Sequence, residues 1–414
     1  MRQTITRKIL GFLKWSERYT KTDMTYAVKG TFWILLGKGG KFLISLATMV
    51  AFAYWIPKEI YGTYQFVLAG LGIAGIFALS GMNTALIKSI ARGKEGTLTL
   101  VVKEKIRWGL LGSLGLFLVS IWYLLNKNLV LAGGFALTAI FLPLIEAFAL
   151  APVFWNGKKR FDIEGFYKVA PAALSFLIIL PAIYLTDSIL WIISITLGSR
   201  VLFDGLFLWK TIKKTKNNER DTEAVKFGKN LTIMDGIVRL GAHMDKVVLW
   251  KFLGPIQVAI YSFALFPIKS LSDIVPVQAL ALPKLGEKNI KDIKHGLLYK
   301  FRLLFLLSIP ATILAVITAP VAYKILFPQY MESVIYFQIL SLIIAILPFN
   351  LLVAALISDL RKKELYVVRV GSVILRVGLF LVLTPFYGIF GVAGALLVSE
   401  IFRVGTSLYY FLKL

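Results

Sequence analysis

Of 414 residues, 58% are hydrophobic and only 17% charged, and apolar runs of roughly twenty residues, the length of a membrane helix, recur from end to end. The absence of cysteine excludes disulfides, thiolate metal sites and cysteine nucleophiles, and two histidines, His243 and His295, are too few for a histidine metal cluster. The net charge of +25 lies in the gaps between apolar runs, where Lys and Arg act as topology signals, so the sequence reads as a polytopic membrane protein with no nucleic-acid partner.

Residues 1–29 carry Arg2, Arg7, Lys8, Lys14, Arg18, Lys21 and Lys29 among apolar residues and read as a basic amphipathic segment at the membrane surface, without the cleavage site of a signal peptide. Twelve spans follow, at roughly 31–56, 62–87, 106–125, 130–154, 168–185, 189–209, 230–252, 257–281, 303–326, 332–357, 370–386 and 388–412. The gaps alternate between basic loops and tight turns almost free of positive charge. The positive-inside rule then puts both termini and every basic loop in the cytoplasm, with the chain in the cytoplasmic (inner) membrane. The short outer turns leave no room for the domain that a membrane glycosyltransferase or polymerase needs, and no GxSxG, HExxH or phosphate-binding GKS/GKT motif occurs, so a transporter is expected rather than an enzyme.

Taken in order, the spans carry ionisable residues at depths where a charge costs about 2.5–3.5 kcal/mol and must face a bundle interior or a wet cavity. Span 1 places Thr31, Lys38, Lys41, Ser45 and Thr48 on one face beside Gly37, Gly39 and Gly40, which permit close approach of a second helix. Gly70, Gly72, Gly75 and Gly81 loosen span 2. Glu146 falls in span 4, and Arg200 with Asp204 in span 6. Span 7 holds Asp235, Arg239, His243 and Lys246 at spacings of four, four and three, a single helical stripe read as the lining of a pathway, with Asp245 off the stripe. Span 8 carries Lys269 and Asp273 with Pro267 and Pro276, and the last two spans carry Arg376, Glu400 and Arg403. Pairs three or four apart, Asp235 with Arg239 included, can also neutralise each other along one helix.

An internal repeat organises these spans. At an offset of 197, Tyr64 and Phe66 align with Tyr261 and Phe263; near 200, Leu197, Ser199 and Gly205 align with Leu397, Ser399 and Gly405. Six helices duplicated in the same orientation give two parallel lobes, 30–209 and 230–414, joined by a cytoplasmic linker at 210–229, around a central cavity.

The Ile60–Tyr61–Gly62–Thr63–Tyr64 turn after span 1, Arg92 in the first basic loop, Leu253–Gly254–Pro255 with Tyr261 after span 7, and Pro283 after span 8 resemble the polysaccharide-exporter branch of the multidrug/oligosaccharidyl-lipid/polysaccharide (MOP) flippase superfamily over nearly the whole chain. Pro57–Lys58 and Ala259 depart from the usual glycines of those turns. The resemblance implies a MATE-like all-α fold and an O-antigen-type flippase that moves undecaprenyl-diphosphate-linked oligosaccharide by alternating access, with membrane lipids and a polysaccharide polymerase machinery as further partners. Lys38, Lys41, Arg239, Lys246, Arg200, Arg376 and Arg403 are the candidates for meeting the substrate. No cofactor is implied; Na+ or H+ coupling would fall to Asp235, His243, Asp204, Glu146 or Glu400. The alternatives are a cation-coupled multidrug antiporter, which would favour an acidic cavity, and a glycosyltransferase or polymerase.

Overall fold

The computed structural model describes residues 24–274, 290–359 and 362–413, and among these the backbone is helix joined by short turns, with no strand. Span 1 is α1 (Met24–Trp55). Span 2 is split into α2 (Lys58–Ala74), a 3-10 turn (Gly75–Ala78) and α3 (Met82–Ala91). Spans 3 to 6 are α4 (Thr97–Leu125), α5 (Leu129–Phe148) with α6 (Ala151–Gly157), α7 (Phe161–Leu185) and α8 (Ile189–Ile212). Spans 7 and 8 are α9 (Thr222–Leu253) and α10 (Pro255–Ile274); span 9 is α11 (Ile290–Leu326). Span 10 is assembled from α12 (Ser333–Leu340), α13 (Leu342–Ile346) and α14 (Asn350–Ser358), and the last spans from α15 (Lys362–Tyr366), a π turn (Val367–Gly371) and α16 (Ser372–Leu412).

By length and composition, nine stretches of the described residues can cross a membrane. The last, Lys363–Leu412, is 50 residues long and counts twice. Its helix is interrupted at Gly388 (φ 58°, ψ −133°), and Arg376 reaches Ser399 and Glu400, so the two segments form a hairpin. The remaining two of the twelve are α9 and α10, whose charged residues dilute their apolar content. The connection expected over 210–229 is helical at both ends: α8 runs to Ile212, and Asp221, whose side chain accepts from Ala224 N at 3.1 Å, caps the start of α9. Part of span 8 beyond 274, with Pro276 and Pro283, and nearly all of the basic segment 1–29 lie outside the described residues.

Helices of the first six spans pack mainly on one another: α4 on α5, α1 on α7, and α8 on both α5 and α7. The approach of α1 to α7 depends on two glycines, since a Cβ on Gly37 would stand 2.8 Å from the Cα of Gly165. Gly40 similarly faces Val169, whereas Gly39 has nothing within 4 Å. Contacts between the two halves run through span 2, with α2 against α9 and α10 and α3 against α9.

The short turns all fall on one face, and there the halves are closed. The buried rings of Phe52, Tyr61, Tyr64, Phe263 and Tyr330 form one cluster, with Phe263 and Tyr330 stacked at 3.6 Å between centroids. Around it Tyr54 Oη donates to Ile325 O at 2.8 Å, Lys58 meets Glu332 at 3.0 Å, and Phe66 stacks on Trp250 at 4.4 Å.

On the opposite, basic face, Glu95 in the loop between α3 and α4 pairs with Lys158 and accepts from Lys216 N at 2.6 Å. Burial alone would raise its carboxyl, but these donors hold it below the ordinary glutamate range. Asp221 N donates to Thr97 Oγ1 at 2.9 Å, so the segment leading into span 7 is fastened to the first half.

Candidate functional site

Two polar cavities adjoin at Ser45 of span 1. The one toward the basic face, about 320 Å³, is lined by Lys38, Lys41, Lys168, Ser270 and Asp273 among others. The deeper one, about 290 Å³, ends against the aromatic seal at Phe52, Tyr61 and Tyr64 and holds Gln65, Lys246, Ser262 and Lys269. Among the described residues, five lysines thus line the pair against a single lining carboxylate, Asp273. Glu164 reaches Lys168 at 2.5 Å from one side, and Lys38 Nζ donates to the Asp273 carbonyl oxygen at 2.5 Å, bridging spans 1 and 8. The Ser262 hydroxyl is buried without a partner among the described residues, so a donor and acceptor wait at the wall of the deep cavity.

Lys246, on the arc expected from the sequence, donates to Gln65 Oε1 at 2.5 Å. Its neighbour Asp245, which the stripe left aside, is 2% exposed and accepts from Tyr261 Oη at 3.0 Å. Alignment of Tyr64 with Tyr261 in the repeat was the signal that could have drawn attention to it.

An apolar cleft of about 370 Å³ runs beside both cavities between spans 1, 8, 9 and 10. It shares Phe42 and Ile274 with the outer cavity and Phe266 with the inner one. A ligand with an anionic head and a hydrocarbon tail would find lysine on one side and apolar walls on the other.

The arginines expected at the substrate are not among the residues that line these two cavities. Arg239 Nη2 meets Glu146 Oε1 at 3.1 Å and its Nη1 donates to Gly75 O at 2.8 Å, at the 3-10 turn of span 2. Lys105, 1% exposed, completes this cluster 3.8 Å from Glu146 Oε2. Asp235, four residues before Arg239, instead accepts from Ser80 Oγ at 3.5 Å. The His243 ring lies over Gly72, where a Cβ would stand 2.4 Å from its Nε2. Arg200 and Asp204 are 3.6 Å apart on one helix. Glu400 holds Arg376 at 2.5 Å and Arg403 at 2.7 Å, and Arg403 Nη1 also reaches Asn350 at 3.0 Å. None of these groups lines the two cavities. Lys168 and Lys269, which do, were not singled out as ligands: the first lies at the edge of span 5 and the second was read as a partner of Asp273.

With this geometry in view, comparison with known proteins assigns the chain. The sequence profile of the polysaccharide biosynthesis protein family matches residues 27–279, more than half of its length. The chain belongs to that family. A curated relative from Shigella flexneri, named "Putative O-antigen transporter", is 23% identical over 402 residues, covering 88% of this chain and 93% of the relative. Among solved structures, the lipid II flippase MurJ in an inward closed conformation superposes with a TM-score of 0.71 at 15% identity, over 94% of this chain and 87% of MurJ. An inward-facing multidrug resistance MATE family transporter of the MOP superfamily gives 0.64 at 14% identity, over 90% and 93%. This member of the polysaccharide biosynthesis protein family therefore has the all-α, multi-pass fold of MOP transporters, as the sequence led one to expect.

Proposed function

We propose that the protein is a flippase carrying undecaprenyl-diphosphate-linked oligosaccharide, an O-antigen or other surface polysaccharide repeat unit, across the cytoplasmic membrane. The single observation that carries this reading is the pair of lysine-lined cavities beside an apolar cleft. A diphosphate seeks ammonium groups in a site of low dielectric, sugars need a wet space, and a polyprenyl tail needs hydrocarbon walls or lipid. Basic loops face the cytoplasm and short turns the outside, so the closed short-turn face corresponds to a state closed toward the outside. Transport proceeds by rocking of residues 30–209 against 230–414 as two lobes. The Shigella relative, by its name, supports the same reading. Asp235 and His243 remain the candidates for Na+ or H+ coupling, whereas the acidic cavity that a cationic-drug antiporter would favour does not match the lysine lining.

The test is transport itself. Protein reconstituted in liposomes with a fluorescent undecaprenyl-diphosphate oligosaccharide should expose the glycan to an added glycosidase on the far leaflet, and Lys41→Ala with Lys246→Ala should abolish this at matched reconstitution. Parent-level transport by that double variant would overturn the assignment of the cavity.

A further inference from the structure

Gln65 joins the cation cavity to the aromatic seal. Its Oε1 accepts from Lys246 Nζ at 2.5 Å, and its Nε2 donates to Tyr61 Oη at 2.7 Å. Residues 61 and 65 are one helical turn apart on α2, so both contacts fall on the same face. The Tyr61 hydroxyl donates onward to Met49 Sδ at 3.1 Å. Its ring, 2% exposed, lies 5.0 Å from that of Phe263 on span 8 and 6.3 Å from that of Tyr330 between spans 9 and 10. A side chain from the first half therefore touches at once a cavity lysine of span 7 and the tyrosine at the centre of the closed face.

The chemistry of the first contact makes it exchangeable. Lys246 is held there by a neutral amide, and an ammonium gains by exchanging such an acceptor for a phosphate oxygen, where both partners are charged. The long lysine stem lets it move without moving the backbone. Once Lys246 has left, the amide keeps only Tyr61 of these two partners, and without the second restraint it can turn away from that hydroxyl.

We propose that Gln65 is the positioning residue through which occupancy of the cavity reaches the seal: an anion that draws Lys246 away releases the amide, which releases Tyr61, and the short-turn face can part. This rests on the reading that the cavity accepts a diphosphate, and it adds a specific order of events to that reading. Binding precedes opening, and an empty carrier stays closed on that face.

The experiment uses the full chain in nanodiscs with spin labels on Glu59→Cys and Ile256→Cys, both exposed at the closed face. Inorganic pyrophosphate is the probe, its binding followed in parallel by calorimetry. In the parent, pyrophosphate should bind and move the label distances to longer values. With Gln65→Leu, which lacks the amide that holds Tyr61, the distances should stand at the longer values before pyrophosphate is added and should no longer respond to it, whatever the change in affinity that loss of a cavity-lining side chain brings. Tyr61→Phe, which keeps the ring and removes the acceptor, should behave in the same way and serves if Gln65→Leu does not fold. Gln65→Glu should clamp Lys246 in an ion pair, weaken pyrophosphate binding by about tenfold and keep the face closed. A parent-like distance response in Gln65→Leu and Tyr61→Phe would overturn the role of Gln65 and leave the diphosphate reading standing. Binding with no distance change in the parent would do the same, and failure of pyrophosphate to bind the parent would overturn both.

Discussion

Gly62 of span 2 and Pro255 of span 8 meet backbone to backbone: a Cβ on Gly62 would stand 1.8 Å from the Pro255 carbonyl oxygen. Closure of the short-turn face thus depends on the lack of a side chain at one position. Gly62→Ala should hold the halves apart there while leaving α2 helical, since Ala is the better helix former. With Ser262→Cys as a reporter in the deep cavity, a membrane-impermeant maleimide added on the short-turn side should label the Gly62→Ala protein much faster than the Gly62 protein. Equal, slow labelling would mean that the contact does not govern closure.

The Arg239, Glu146 and Lys105 cluster should behave as structure rather than as a substrate site. Arg239→Ala strands one carboxylate oxygen and the Gly75 carbonyl, at a cost of ~1–3 kcal/mol. Glu146→Ala leaves two cations without their shared carboxylate and should cost more, ~3–5 kcal/mol. Thermal unfolding in detergent should rank Glu146→Ala below Arg239→Ala in stability. Because the partner of Arg239 is Glu146, adding Asp235→Ala to Arg239→Ala should restore nothing.

Glu95 gives the basic face a dependence on pH. Its folded-state acidity is stronger than that of a free glutamate, so it stabilises the fold above the unfolded value of about 4.3, and this contribution disappears as pH falls through the lower folded value. Glu95→Gln should lower the Tm by a few degrees at pH 7, and the gap to the parent should close as the pH is brought below 4. A gap independent of pH would assign the effect to packing instead.

Sidedness can be read directly. Reporter fusions at Lys159, Asn217 and Lys362 should report the cytoplasm, and those at Lys127, Asp187 and Gln329 the outside. A reproducible inversion at any of the six would break the twelve-span topology.

What the sequence made legible divides along a physical line. Span lengths and the basic loops follow from local composition, and the helices appear where apolar runs demanded them. The four glycines of span 2 signalled weakness, and the break came at Gly75. Pairing across helices carries no such local signature. Spacing suggested Asp235 for Arg239, but the carboxylate that reaches it, Glu146, lies 93 residues away. Glu400 with Arg403 was visible three residues apart, while Arg376 joins them through the hairpin at Gly388. The apparent Lys269 and Asp273 couple concealed that Lys269 lines a cavity and that the Asp273 carbonyl takes Lys38.

The interruption of span 2 has a mechanical consequence. An unbroken helix transmits torque from end to end, whereas the turn at Gly75–Ala78, followed by the left-handed Leu79 (φ 56°), acts as a universal joint. Above the joint α2 packs on α10 and the outer part of α9; below it α3 is gripped by α6 and α9. Tilting the upper rod need not unseat the lower one, so a large excursion at one surface can be absorbed within four residues before it reaches the other.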